Sequence, residues 1–302
     1  MIILNTVSNE KVWGTKRLYD YCGDKKIEKI GSVYTASGIK EISCEILYGD
    51  ENKDLYSAVK ANPEKFGLVD GVDFPLIISF TSADEDLSIQ VHPTDAYAKE
   101  HENKVIGKSE AWYFIEKPNK GFIYAETDID DKKLIKDKIL NKDYESVVNK
   151  VKVDEDDIVY VEAGTLHALT EGSLVYEIQQ SSDITYRLYD YDRLDKDGNP
   201  RQLHLEDGIN TIVSSNKVSI KNFENDSELK YKPFNLLRTK ISGEYTNNNK
   251  IAQAITITKG SAVIDGHELI QGQSVLILPG ESVNIDKAAD EVVIATPNLY
   301  FL

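Results

Sequence analysis

Alternation of apolar and polar positions dominates the chain. Its sharpest instance is Leu87-Ser88-Ile89-Gln90-Val91-His92. Read as a strand, it turns Leu87, Ile89 and Val91 to one face and Ser88, Gln90 and His92 to the other. That second face holds a hydroxyl, an amide and an imidazole, with no Lys, Asp or Glu. It reads as a binding surface rather than a solvated one. Pro93 cannot donate to a ladder and fits the strand's end. The same period places Lys108, Glu110 and Trp112 on one face of a strand over 107–115. Further strands are expected at 121–125, 157–161 and 174–180. The segment 181–193 continues the last of these after a polar bend. A turn at Gly164 delivers His167 to the start of a strand.

Helical spacing is confined to short stretches. Residues 54–67 form one, interrupted at Asn62-Pro63, and 94–101 another, capped by Thr94 or Asp95. Residues 126–150 read as a helical insertion between strands, and 203–212 as a last helix. The C-terminal part is all short strands and turns at about ten-residue spacing, the pattern of a sandwich or jelly roll. There Leu278-Pro279-Gly280-Glu281 parallels Val161-Glu162-Ala163-Gly164, but no His follows it. The second barrel is therefore expected to hold no metal.

Composition narrows the function. The 302 residues suffice for one large or two ordinary domains. A formal net charge of -16 argues against nucleic-acid or anionic-membrane partners, which are met by clustered Lys and Arg. A small anionic substrate stays possible, provided a local group of cations receives it. No apolar run reaches membrane-spanning length, and Met1 to Asn5 reads as a first strand rather than a signal peptide. Cys22 and Cys44 lie apart without a CxxC spacing, as reduced thiols of a cytoplasmic protein would.

Four potential ligands arise on these strands: Gln90, His92, Glu110 and His167. In a small β-barrel, inward side chains of different strands converge. Two imidazoles and a carboxylate suit an open Zn²⁺ site, with an amide oxygen as a weaker fourth ligand, and equally suit non-haem Fe(II). The plain reading of a single His on a strand is structural, and His92 alone carries little. Trp13 and Trp112 read as core, His101 as exposed, and Arg187 as a partner for nearby Asp residues.

SIQVHP, GKSEAWY, VEAGTLHAL, EIQQSSDITYRLYDYDR and GNPRQLHLE, in that order, resemble the short form of type I mannose-6-phosphate isomerases, a cupin family. The resemblance covers most of residues 10–215 and, more weakly, the C-terminal part. It implies a mainly β fold of two cupin-type jelly-roll β-barrels with a small helical insertion. A catalytic domain at 1–225 would then carry the insertion at 126–150, followed by a cupin-like domain at 226–302 without metal ligands. It implies one Zn²⁺ per chain on Gln90, His92, Glu110 and His167. It places Arg187 at the family's active-site arginine, and Ser88 and Lys108 at positions of substrate or phosphate contact. The implied activity is aldose–ketose isomerisation of mannose 6-phosphate and fructose 6-phosphate by a cytoplasmic monomer or homodimer of carbohydrate metabolism. An isomerase of another sugar or sugar phosphate, or a metal-binding sugar sensor without turnover, are the alternatives. Lys108, His92, Glu177 and a metal-bound water are candidates for the general base. Two positions depart from the family: Ser79 stands where a Lys is usual, and Ser32 where Glu is.

Overall fold

Strands account for 40% of the chain and helices for 15% in the computed structural model, which describes residues 1–195 and 197–301. The mainly β reading holds. Contacts divide the chain into two compact units. One gathers Glu10–Thr15 with Thr81–Asn222; the other gathers Met1–Asn9, Lys16–Phe80 and the chain from Phe223 onward.

The first of these units carries the chemistry. Its strands are β1 (Ile89–Val91), β2 (Glu110–Glu116), β3 (Phe122–Ala125), β4 (Asn149–Lys152), β5 (Asp157–Val161), β6 (His167–Ala168), β7 (Leu174–Gln180), β8 (Tyr186–Tyr189) and β9 (Ser219–Asn222). They form two antiparallel runs, β9-β5-β2-β7 and β8-β1-β6-β3-β4. The expected barrel is not closed by hydrogen bonds; the strands remain open sheets. The alternation of β1 is realised. Ile89 and Val91 join an apolar cluster with Leu87, Leu188, Ile135, Ile139 and Ile209, which leaves Gln90 to the opposite face.

Residues 181–185 correct one expectation. The chain does not continue β7 but leaves its sheet, and β8 pairs with β1. Period two reports which face a side chain takes, not which sheet a strand joins.

The helices fall where spacing placed them: α1 (Leu55–Ala61), α2 (Asp95–His101), α3 (Lys132–Leu140) and α4 (Leu205–Thr211). Thr94 caps α2 by accepting from the Tyr97 amide, while Asp95 Oδ1 accepts from the Gly107 amide instead. Asp131 caps α3, whose Ile135 and Ile139 are buried while Leu134 and Leu140 face out. This is the expected insertion between β3 and β4.

The second unit holds a seven-stranded sheet in the order Ser227–Lys230, Phe234–Thr239, Glu291–Pro297, Gln253–Lys259, Ser274–Ile277, Ile2–Leu4, Ile46–Tyr48. A four-stranded sheet runs Gly243–Thr246, Ser282–Lys287, Ser261–Ile264, His267–Ile270. Ser32 and Ser79 are both buried in this unit. Cys22 and Cys44 are free, and burial pushes their thiols up to about 11 and about 12, away from thiolate chemistry. Among the described residues no helix is long and apolar enough to cross a membrane.

Candidate metal centre

One row of cross-strand partners organises the site. Arg187 of β8 is opposite Gln90 of β1, Gln90 is opposite His167 of β6, and His167 is opposite Ala125 of β3. Directly paired residues project to the same face, so Arg187, Gln90 and His167 stand side by side. His92 follows β1 by one residue and keeps the parity of Gln90. In the other sheet Glu110 and Trp112 share one face of β2. The Trp112 ring meets the His167 ring edge-on at 5.5 Å. Glu177 of β7 is the cross-strand partner of Trp112 and therefore shares that face.

Three ligand atoms converge. His92 Nε2 lies 3.3 Å from Glu110 Oε2, and His167 Nε2 lies 3.4 Å from Glu110 Oε1. All three residues are buried, and their ligand atoms lie within 4.8 Å of one another. Each imidazole is fixed from behind. His92 Nδ1 donates to the Ile184 carbonyl at 2.9 Å, and His167 Nδ1 donates to the Thr165 carbonyl at 2.8 Å. That tautomer leaves both Nε2 lone pairs aimed at the carboxylate, the orientation of metal-ligating histidines. Burial depresses both histidines, His167 to about 3, so each stays neutral and able to ligate.

Cations and a second carboxylate flank the three. Lys108 Nζ donates to Glu110 Oε2 at 2.8 Å and to His92 Nε2 at 3.0 Å. Although burial opposes it, the charge of Lys108 holds the Glu110 carboxyl well below its ordinary range. A divalent cation on His92 Nε2 would replace the Lys108 hydrogen bond there, one positive charge yielding to another. Gln90 Nε2 lies 3.4 Å from His167 Nε2, and Ser88 donates its hydroxyl to Gln90 Oε1 at 3.2 Å. Turning the amide over about Cγ–Cδ would offer Oε1 to the same centre. Glu177 accepts from the Thr81 hydroxyl at 2.7 Å and lies 3.9 Å from Lys108. Burial, then the Glu110 charge, push its carboxyl up. The donor set fits a divalent metal: neutral imidazoles, a buried carboxylate and an amide within reach. Among the described residues the other unit has no such group.

Two glycines let the backbone close around this point. A Cβ at Gly107 would stand 2.1 Å from the Pro93 carbonyl oxygen, whose acceptance of the Lys108 amide sets Lys108 beside His92. Gly164 adopts φ +90, and its amide donates to the His92 carbonyl. Gly107→Ala is expected to lower stability by roughly 2 kcal/mol or more, because the clash is with backbone. Thermal unfolding of metal-free protein measures this; a Tm within a degree or two of wild type would contradict it.

Arg187 is not tied to Asp as its neighbours are. Its Nη1 donates to the Gln202 carbonyl at 2.8 Å, and its buried Nε has no partner among the described residues. Asp190 takes Arg193 at 2.6 Å and Arg201 at 3.0 Å instead. Lys11 escaped the sequence reading. It is half-buried, and the charges of Arg201, Arg187 and Lys108 reach it. The available signal was its place two residues before the buried Trp13, on the same strand face.

No protein-family model matches the chain. It is 39% identical to "Probable mannose-6-phosphate isomerase GmuF" of Bacillus subtilis over 214 residues, 70% of this chain and 68% of that one. It is 34% identical over 215 residues to mannose-6-phosphate isomerase ManA of the same organism, covering 70% and 67%. The crystal structure of the mannose 6-phosphate isomerase from Bacillus subtilis superimposes with a TM-score of 0.85 at 29% identity, over 98% of this chain and 99% of that one.

Proposed function

The chain belongs to the mannose-6-phosphate isomerase family, and on that premise we propose that it interconverts mannose 6-phosphate and fructose 6-phosphate with one bound divalent metal, zinc by choice of ligands. The observation that carries this is the pair of buried imidazoles whose Nδ1 atoms are spent on carbonyls while both Nε2 atoms face Glu110. His92, Glu110 and His167 would hold the metal, with Gln90 as fourth ligand. When bound, the metal polarises the sugar carbonyl and holds the adjacent hydroxyl.

The remaining residues move the proton and place the sugar. Both ring nitrogens of His92 are engaged, and Lys108 is anchored as a cation on Glu110. Of the side-chain candidates Glu177 is thereby the base: a buried carboxyl raised toward the operating pH and held by Thr81. It takes the proton from C2 of the open-chain aldose; the C–H electron pair becomes the C1–C2 double bond of an enediol while the carbonyl pair moves onto O1, which takes up the hydroxyl proton given up by O2. It then returns its proton to C1 as the C2–O2 bond becomes the ketose carbonyl. Arg187, beside Gln90 in the ladder, steadies negative charge on the substrate. Ser88 acts through Gln90, by its hydrogen bond. We place the protein in the cytoplasm, as a monomer or homodimer, with no nucleic-acid or membrane partner.

The test is isomerisation of mannose 6-phosphate by protein of known metal content, with free mannose alongside. Activity is expected to vanish on chelation and to return with Zn²⁺. Stoichiometric zinc with no turnover of either sugar would overturn the isomerase reading in favour of a sensor. Turnover indifferent to chelation would remove the metal.

A further inference from the structure

We infer that Asp190 is a positioning residue for the isomerisation: through Arg201 it fixes the stretch of chain that holds the Arg187 side chain in place. The inference rests on the isomerase reading for the role of Arg187, and on contacts outside the metal centre for its geometry.

Arg187 is held by the chain at 202–204. Its Nη1 donates to the Gln202 carbonyl at 2.8 Å. Its backbone is tied to His204 twice: the Arg187 amide donates to His204 Nδ1 at 3.2 Å, and the His204 amide donates to the Arg187 carbonyl at 2.8 Å. The guanidinium is therefore only as well placed as this stretch. Residues 201–204 lie outside the strands and helices, so no ladder fixes them. Their anchor is the residue before Gln202. Arg201 Nη1 donates to both carboxylate oxygens of Asp190, at 3.0 Å each.

Asp190 is itself firmly set. It is buried and directly follows β8. Its Oδ1 also accepts from Arg193 Nη2 at 2.6 Å, while Arg193 Nη1 donates to the Asp86 carbonyl at 2.7 Å. The turn that permits this is strained. Tyr191 and Asp192 take φ of +58 and +55, and the Arg193 amide donates to the Asp190 carbonyl at 3.0 Å. Two left-handed residues in a row at a turn favour Gly or Asn, and neither stands here. Such strain persists only where the surroundings over-determine it. Arg193, bonded to Asp190 and lying 4.9 Å over the Tyr191 ring, supplies that constraint. One carboxylate thus joins three segments of chain, three residues beyond Arg187, and touches none of the metal ligands.

The test is a double-mutant cycle on the zinc-loaded full chain: D190N and R201M, each alone and combined with R187M. R201M leaves Asp190 paired with Arg193, so it carries the test if D190N does not fold. Each single variant is expected to keep the zinc content of wild type and to lose about 10- to 100-fold in kcat/KM for mannose 6-phosphate, the range for a misplaced group. Added to R187M, each should cost no more than about threefold further, because its effect runs through the residue already removed. Losses that multiply in full on R187M mark a purely structural role and overturn the inference. So does a folded single variant within about threefold of wild type. Arginine-labelled NMR reads the placement without turnover. The Arg187 Nε–H signal, identified by its absence in R187M, is expected to be protected from exchange in wild type and to lose that protection in D190N and R201M. Lost protection in a protein that isomerises no sugar keeps the positioning and removes the isomerase reading. Isomerisation with the Arg187 signal unmoved in both variants does the reverse.

Discussion

Glu110→Gln is expected to strip the protein of its metal and lower isomerisation about 1,000-fold or more, since both the ion and its chemistry are lost. The substitution conserves shape and removes one negative charge. That charge anchors the Lys108 ammonium at 2.8 Å and faces the Nε2 atoms of His92 and His167 at 3.3 and 3.4 Å. Two neutral imidazoles and two amides make a poor site for a dication. Changes in outer-shell partners alone cost about 10- to 100-fold in metal affinity, and a direct ligand costs more. Removing one partner of a buried ion pair also carries its own penalty, about 3–5 kcal/mol, because the buried Lys108 then has the more distant Glu177, at 3.9 Å, as its carboxylate. The measurements are metal per chain by elemental analysis, turnover with excess zinc, and Tm. Full metal content and full activity in the variant would dismiss this centre.

Glu177→Gln is expected to do something different: keep the metal and lose kcat by about 10²- to 10⁴-fold, the range for a positioned general base. Glu177 is not among the converging ligand atoms. It lies against Lys108 and Thr81, near enough to Glu110 that the two carboxyls oppose each other's ionisation. A glutamine keeps the hydrogen bond from Thr81 and cannot take a proton. KM for mannose 6-phosphate should move by no more than about threefold if Glu177 acts only in the proton transfer. Zinc content equal to wild type with kcat within about threefold would move the base from Glu177 to Lys108 or a metal-bound water. The two variants read together separate the ion's contribution from the proton's.

Much of this site was legible before any coordinates. Strict alternation at 87–92 sorts six side chains into an apolar set and a polar set, because a strand's period of two is a property of the backbone. The Thr94 cap and the amphipathic spacing of 131–140 are equally local: each needs only the residues within one turn. Lys108 and Glu110 were placed together by parity. Lys11 was not found, because nothing near it in sequence names a partner.

What the sequence determined by itself is therefore the strand faces, the helix ends, the mainly β class and the residue types of a candidate metal site. What only the tertiary structure decided is how those faces meet. The bend at 181–185 moves the chain to the other sheet and sets Arg187 beside Gln90. The sheets stay open instead of closing into barrels. Residues 1–9 and 16–80 join the chain from Phe223 onward in one unit, while 10–15 joins 81–222. The assignment of each cation also waited for the fold. Asp190 claims Arg193 and Arg201, Glu110 claims Lys108, and among the described residues Arg187 and Lys11 are left without a carboxylate. The physical reason is the range of the forces. Backbone geometry acts over a few residues, whereas ion pairs, burial and sheet partners are contacts in space between segments far apart in the chain.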